Sequence, residues 1–154
     1  VFVTIKHKQI IKEREVDDPM EIKKVTTFDS DVLKSLYQKN NWTMYLKDMD
    51  GFKRMFENST AVYGAYEYGR LIGLTRVISD DVHILYIQDV LVDPDYTKKG
   101  IGSALLKTVL KTFEHVRQKV LLTDVSAQGA HTLYEHHGFK RTDQKGLVCY
   151  VRFD

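Results

Sequence analysis

Val90 to Leu106 reads VLVDPDYTKKGIGSALL, and this stretch decides the fold. Val90, Leu91 and Val92 have the apolar, β-branched character of a buried strand end. Asp93-Pro94-Asp95 stops the strand, because Pro94 lacks a backbone N–H and fixes its own φ. A loop with two glycines follows, Lys98-Lys99-Gly100-Ile101-Gly102-Ser103, and a helical pattern begins inside it. Ile101, Leu105, Leu106, Val109, Leu110, Phe113 and Val116 recur at helical spacing and mark one buried face. A helix start carries unpaired N–H groups and partial positive charge. Glycines there admit a ligand close to the backbone, and two lysines add charge. Two readings stand: an anion site suited to phosphate, or an ordinary strand-to-helix turn with solvated lysines. The loop is not a P-loop, since no Gly-Lys-Ser/Thr ends it. It also lacks the third glycine of the dinucleotide fingerprint.

Around this stretch, composition sets bounds. The 154 residues suit one domain with one core, and 43% hydrophobic with 29% charged residues is ordinary for a globular protein. A net charge of +2 does not suggest a nucleic-acid binder. No apolar run is long enough to cross a bilayer and no signal-peptide pattern opens the chain, so the expectation is a cytoplasmic protein without membrane contact. The single cysteine, Cys149, excludes an internal disulfide and reads as small core filler on a strand.

Taken in order, Val1 to Ile5 alternates as a strand, and Gln9 to Val16 pairs back on it as a hairpin. Asp17-Asp18-Pro19 breaks the pattern, and Glu21 to Thr26 is an edge candidate. Asp29 or Ser30 caps a helix whose buried stripe is Val32, Leu33, Leu36 and Tyr37. Asn40-Asn41 ends it, and the state of Trp42 to Leu46 stays open. Asp48-Met49-Asp50 starts a second helix with Phe52, Met55 and Phe56, either plain core or the lining of an adaptable cleft. Ala61 to Tyr66 and Leu71 to Ile78 make a hairpin around Tyr68-Gly69-Arg70, and His83 to Val92 is the third strand. Lys119 to Val125 is a strand parallel to it across the helix. Gln128 to His137 is a helix closed by Gly138 as a left-handed cap, and Leu147 to Phe153 is a last strand. The fold class is α/β of mixed α+β type, an antiparallel meander running into one βαβ unit.

Three segments together resemble the GCN5-related N-acetyltransferase (GNAT) superfamily, in the form of a small bacterial-type single-domain member. VLVDPDYTKKGIGSALL is similar to its acetyl-CoA loop, Gln/Arg-x-x-Gly-x-Gly/Ala. Ala130-His131-Thr132-Leu133-Tyr134-Glu135-His136-His137-Gly138-Phe139 is similar to its Ala-x-x-x-Tyr-x-x-x-Gly-Phe signature. The third is the hairpin segment GRLIGLTRVIS from Gly69. The resemblance runs from about Asp29 to the end. It makes 1–154 a single N-acetyltransferase domain, with 1–25 an N-terminal strand or hairpin extension outside the firm match. It implies a mixed, mostly antiparallel sheet flanked by helices and splayed at a central parallel pair, between the strands ending at Val92 and Val125. Acetyl-CoA would lie in the split as co-substrate, its pantetheine amides on the backbone of Val90, Leu91 and Val92. Its pyrophosphate would sit on N–H groups of Lys98, Lys99, Gly100, Ile101, Gly102 and Ser103. Thr97 stands where the family has Gln or Arg, leaving phosphate neutralisation to Lys98 and Lys99. Ala127 replaces an asparagine that often bonds the cofactor, so that bond is absent or comes from Ser126 or Gln128.

The expected activity is direct transfer of an acetyl group from acetyl-CoA to a primary amine of a small molecule. A peptide or protein acceptor, a non-catalytic acyl-CoA sensor and a phosphate-binding interaction domain are the alternatives. An alkylamine with a pKa near ~10.4 must lose a proton before it attacks. A backbone N–H at a strand bulge can polarise the thioester carbonyl. Tyr134, carried over from the signature, is the candidate general acid toward the leaving thiolate; as a core residue it would merely pack beside Leu133. Asp89 is the candidate base, or a structural partner of Arg76. Alternation places Gln88 and Val90 on the face opposite Asp89 and Leu91, and a water chain ending at Asp89, His83 or a tyrosine serves equally. His131, His136 and His137 lack zinc-site spacing and read as solvated or capping, so no metal is expected. Tyr37, Trp42, Tyr45, Phe56 and Tyr63 form either an aromatic acceptor pocket or bare core. A homodimer is a possible assembly, since dimers are common in the family.

Overall fold

The computed structural model describes residues 20–154. The two strands expected before Asp17 lie outside the described residues. Five strands form one sheet in the order β1-β2-β3-β4-β5: β1 Met20–Lys24, β2 Ala61–Glu67, β3 Arg70–Ser79, β4 Ile84–Val92 and β5 Gln118–Leu121. All neighbours are antiparallel except β4 and β5, which run parallel on either side of the helix that joins them. The helices are α1 Ser30–Lys39, α2 Met49–Glu57, α3 Ile101–Thr112 and α4 Gln128–His136. The open segment after Asn41 forms a short 3-10 helix, Thr43–Lys47.

Local chemistry explains the boundaries. Asp29 accepts from the N–H groups of Asp31 and Val32 (3.0 and 3.2 Å), and Asp48 accepts from Gly51 (3.0 Å), so both helices before β2 begin on an aspartate cap. Gly138, at φ 84°, follows the last turn of α4 as the left-handed residue the sequence calls for.

Alternation along the strands splits the core. On one face Ala61, Tyr63, Ala65, Val77, Leu85 and Ile87 meet Ile101, Leu105, Leu106 and Val109 of α3. On the other, Val62, Leu74 and Leu91 meet Leu33, Leu36 and Tyr37 of α1 and Phe52 and Phe56 of α2. Gly73 marks how closely α3 lies on the sheet. A β-carbon there would come within 2.9 Å of Ile101 Cγ2 and 3.1 Å of the Leu91 carbonyl oxygen.

Three expectations change. Leu147 to Phe153 forms no strand among the described residues; Tyr150 is 92% and Phe153 88% exposed, and Cys149 lies at the surface rather than in a core. Its alternating, β-branched composition is necessary for a strand but not sufficient, because a strand exists only where a neighbour supplies the ladder. The strand expected over Lys119 to Val125 ends at Leu121, and Val125 is exposed. Among the described residues β5 therefore closes one end of the sheet.

Candidate active site

Strand β4 changes partners along its length. Ile84 to Ile87 pair with Gln118 to Leu121 of β5, and beyond the Ile87–Leu121 pair the two strands part. From Asp89 to Val92, β4 stays paired with β3 and, among the described residues, with no strand on its other side. This is the opening expected between the parallel strands, and it starts earlier than anticipated because β5 is short.

A bulge lies at the same point. Val77 pairs with Ile87 but Arg76 pairs with Asp89, so Gln88 is an extra residue on β4. Leu85 and Ile87 face α3, whereas Leu91 faces α1 and α2. The bulge also corrects the simple alternation for Gln88. Its side chain reaches Tyr45 on the same side as Asp89, donating to the Tyr45 hydroxyl at 2.9 Å.

Asp89, only 1% exposed, is the centre of a buried network. Its Oδ2 accepts from Arg76 Nε (2.6 Å) and the Tyr37 hydroxyl (2.7 Å), and its Oδ1 from the Tyr45 hydroxyl (3.3 Å). Thr75 donates to the Asp89 carbonyl at 2.9 Å. Of the two roles open to Asp89, the geometry provides the ion pair with Arg76. Burial, then the Asp89 charge and hydrogen bond, push the Tyr37 hydroxyl far above the usual tyrosine range. Burial and the same carboxylate raise Tyr45 as well.

The five aromatics expected as a pocket divide. Tyr37 and Phe56 are fully packed core, and Tyr63 belongs to the opposite face of the sheet. Trp42 and Tyr45 stay half-buried and stack with centroids 6.1 Å apart at 23°.

Beyond β4 the chain is tied down by Asp93. Its Oδ2 accepts from Lys39 of α1 (2.7 Å) and Arg70 (3.4 Å), and its Oδ1 from the N–H of Asp95 (3.1 Å). Burial raises its pKa, but the Lys39 bond, the Asp95 N–H and the charges of Lys39 and Arg70 outweigh this and hold it below the usual range. Lys98 takes a left-handed conformation at φ 63° and Gly100 at φ 77°. A lysine there is a strained backbone residue, of a kind that clusters at ligand sites. No side chain among the described residues caps α3. Ala104 bonds the Gly100 carbonyl, so the N–H groups of Ile101, Gly102 and Ser103 precede the first helical bond and stay available. No atom lies within 4 Å of a β-carbon built on Gly100, so the cradle is open, and its unpaired amides fit an anionic pyrophosphate. Lys99 Nζ lies 4.8 Å and the Arg70 guanidinium 5.7 Å from the centre of the Tyr96 ring, bracketing the loop with charge. Arg70 and Tyr96 are missed by the sequence reading; Tyr68-Gly69-Arg70 reads simply as a turn. Thr97 spends its hydroxyl on the Pro94 carbonyl (3.2 Å), and Ser126 spends both its N–H and hydroxyl on Asp124.

Tyr134 is half-buried beside Leu133 and Phe139 on the core that α3 shares with the sheet. Its ring meets Phe139 edge-on at 6.1 Å, and its carbonyl accepts from the N–H groups of His137 and Phe139. Burial raises its pKa, so the hydroxyl keeps its proton at neutral pH. It lines a cavity of about 1060 Å³ between β5, α4 and the chain around Leu147. His137 caps the C-terminus of α4, and its Nε2 lies 2.7 Å from Ser103 Oγ. No helix among the described residues is long and apolar enough to cross a membrane.

The chain is similar to known proteins in sequence and in fold. The chain is 28% identical over 131 residues to the uncharacterized N-acetyltransferase ycf52-like of Prochlorococcus marinus, covering 81% of this chain and 69% of that protein. It is 36% identical over 64 residues to the uncharacterized N-acetyltransferase YafP of Escherichia coli, covering 42% of this chain and 39% of YafP, so it spans about two fifths of that relative's length. Among solved structures, the GNAT-family acetyltransferase SP0256 of Streptococcus pneumoniae superposes with a TM-score of 0.77 at 24% identity, covering 88% of this chain and 98% of that one. Residues 14–153 match the family described as the acetyltransferase (GNAT) domain, and with that match over most of its length the chain belongs to the GNAT acetyltransferases.

Proposed function

We propose that this chain is an acetyl-CoA-dependent N-acetyltransferase that passes the acetyl group directly to a primary amine of a small molecule. One observation carries the reading. Strand β4 leaves β5 after Ile87 and runs on, with one edge free among the described residues, to a helix start at Gly100 that no described side chain caps. A free strand edge presents N–H and C=O groups that pair with amides, and a bare helix start presents N–H groups that hold phosphate. When bound, acetyl-CoA supplies an acyl group activated as a thioester.

The chain's own residues do the rest. Val90, Leu91 and Val92 bind the pantetheine amides through backbone. Lys98, Lys99, Gly100, Ile101, Gly102 and Ser103 hold the pyrophosphate through amides and charge. Next to the bulge at Gln88, backbone N–H groups polarise the thioester carbonyl. Tyr134, protonated at neutral pH, gives its proton to the leaving thiolate and regains one from solvent. Asp89 has no free oxygen facing outward. It acts as a positioning residue, fixing Tyr45 and Gln88 at the mouth of the opening while water there takes the proton of the amine. The stacked Trp42 and Tyr45, with Met44 exposed on the same segment and Met49 exposed at the start of α2, support a small apolar or aromatic acceptor.

The test is thiol release from acetyl-CoA across a panel of small amines, amino-terminal peptides and lysine peptides, with calorimetry of coenzyme binding alongside. Tyr134→Phe should lower turnover about 100-fold or more while leaving coenzyme affinity within twofold. Turnover confined to peptides would replace the small-molecule reading. Coenzyme binding without turnover of any amine would replace catalysis by sensing.

A further inference from the structure

Ser103 and His137 are joined across 34 residues by a 2.7 Å contact between Oγ and Nε2, and nothing in the catalytic scheme uses it. Ser103 is the third residue of α3, inside the turn whose amides are open. His137 ends α4, three residues after Tyr134. The charged and titratable neighbours of the imidazole are His136 on its own segment, with ring centroids 5.3 Å apart, and Lys107 one turn along α3 from Ser103.

The contact has two protonic states. With Nε2 bare, the Ser103 hydroxyl donates to the ring and has no proton left for a ligand. With Nε2 protonated, the ring donates to Ser103 Oγ and the hydroxyl proton is free to point at an anion. An anion at the α3 start selects the second state, a donor chain running from imidazole to hydroxyl to phosphate oxygen, and of the two forms that supply it, the neutral Nε2–H tautomer and the imidazolium, the charge of the anion favours the imidazolium. We propose that His137 is a coenzyme-binding switch residue, which takes up a proton when the pyrophosphate arrives and thereby turns Ser103 into a phosphate donor. The inference rests on the proposed pyrophosphate site and extends it to a residue of α4.

Electrostatics gives the pH range. In the free protein, burial and the charges of His136 and Lys107 hold His137 below the ordinary histidine value of about 6.5, so at neutral pH it is uncharged. A bound anion opposes that shift and raises the pKa. Proton uptake on binding should thus be confined to the acid side of neutrality and vanish as pH rises well above the ordinary histidine value.

The experiment is titration calorimetry with dephospho-coenzyme A in buffers of different ionisation enthalpy. That probe carries the pyrophosphate but no phosphate monoester that would itself titrate in this range. Expected are several tenths of a proton taken up at pH 6, persisting in His136→Gln and lost in His137→Gln and Ser103→Ala. Ser103→Ala and His137→Ala should each weaken binding about tenfold at pH 6, and the double variant no more than either alone. Tight binding with no proton uptake, or with additive losses, overturns the switch and leaves the pyrophosphate site standing. Failure of the wild-type chain to bind the probe overturns both.

Discussion

On one face of β4, α3 lays aliphatic side chains on the sheet; on the other, α1 and α2 wrap aromatic rings around a single carboxylate. The first face is a conventional apolar core, with Leu105, Leu106 and Val109 fully buried. The second buries the charges of Arg76 and Asp89 with the Tyr37 hydroxyl, and the half-buried Tyr45 hydroxyl reaches the same carboxylate. The difference teaches where tolerance lies. An aliphatic core accepts volume-conserving exchange, whereas a buried ion pair cannot lose one partner without stranding the other. The rigid polar face sits beside the proposed reaction centre, and the bare helix start sits at the end of the strand, open to a ligand.

Asp89→Ala should give the largest effect on this contrast. It strands the Arg76 guanidinium, and denaturant unfolding should show a loss of about 3–5 kcal/mol. A loss under about 1 kcal/mol would mean that the network is solvated and the two faces are alike. Gly100→Ala probes the open end. The added methyl meets nothing, so the cost is the left-handed conformation alone, about 1–2 kcal/mol. Coenzyme affinity should fall with it, and unchanged affinity would argue that the loop does not touch the ligand.

Asp93 ties the aromatic face to the open end, linking α1 through Lys39 to the end of β4, and its effect is smaller and pH-dependent. Its folded pKa lies below the unfolded value of about 3.9. The stability it contributes is therefore present above pH 4 and is lost as pH falls through the folded value. Asp93→Asn should flatten the acid side of the stability profile below about pH 4. An unchanged profile would show that Lys39 and Arg70 do not hold the carboxylate in solution.

Legibility in the sequence divides along the same line. The α3 face could be read because its signals are local: a proline stop, two glycines and a helical stripe within Val90 to Val116. The start of α1 and the cap at Gly138 were local too. The Asp89 network was only half legible. Arg76 lies in the adjacent strand and was anticipated as a partner, but Tyr37 lies 52 residues away and its ring gives no sign of which core it enters. The bulge at Gln88 has no signature residue, since any side chain can be the extra one, and strict alternation therefore misplaced Gln88. Ser103 reads as a backbone ligand of the pyrophosphate and His137 as a solvated or capping histidine, and nothing in the sequence joins them, because their bond depends on how α3 and α4 pack. The tail from Leu147 failed for the opposite reason: its pattern was clear, but pattern does not supply a neighbouring strand.

The central claim is that backbone amides of β4 and of the α3 start receive the coenzyme. The most direct measurement is a titration of the ¹⁵N-labelled chain with coenzyme A, following every amide. The account predicts the largest shifts at Ile101, Gly102 and Ser103, with a second set at Val90 to Val92 and little change at α1 and α2. Shifts confined to the cavity beside β5 and α4, with the α3 start unmoved, would contradict it.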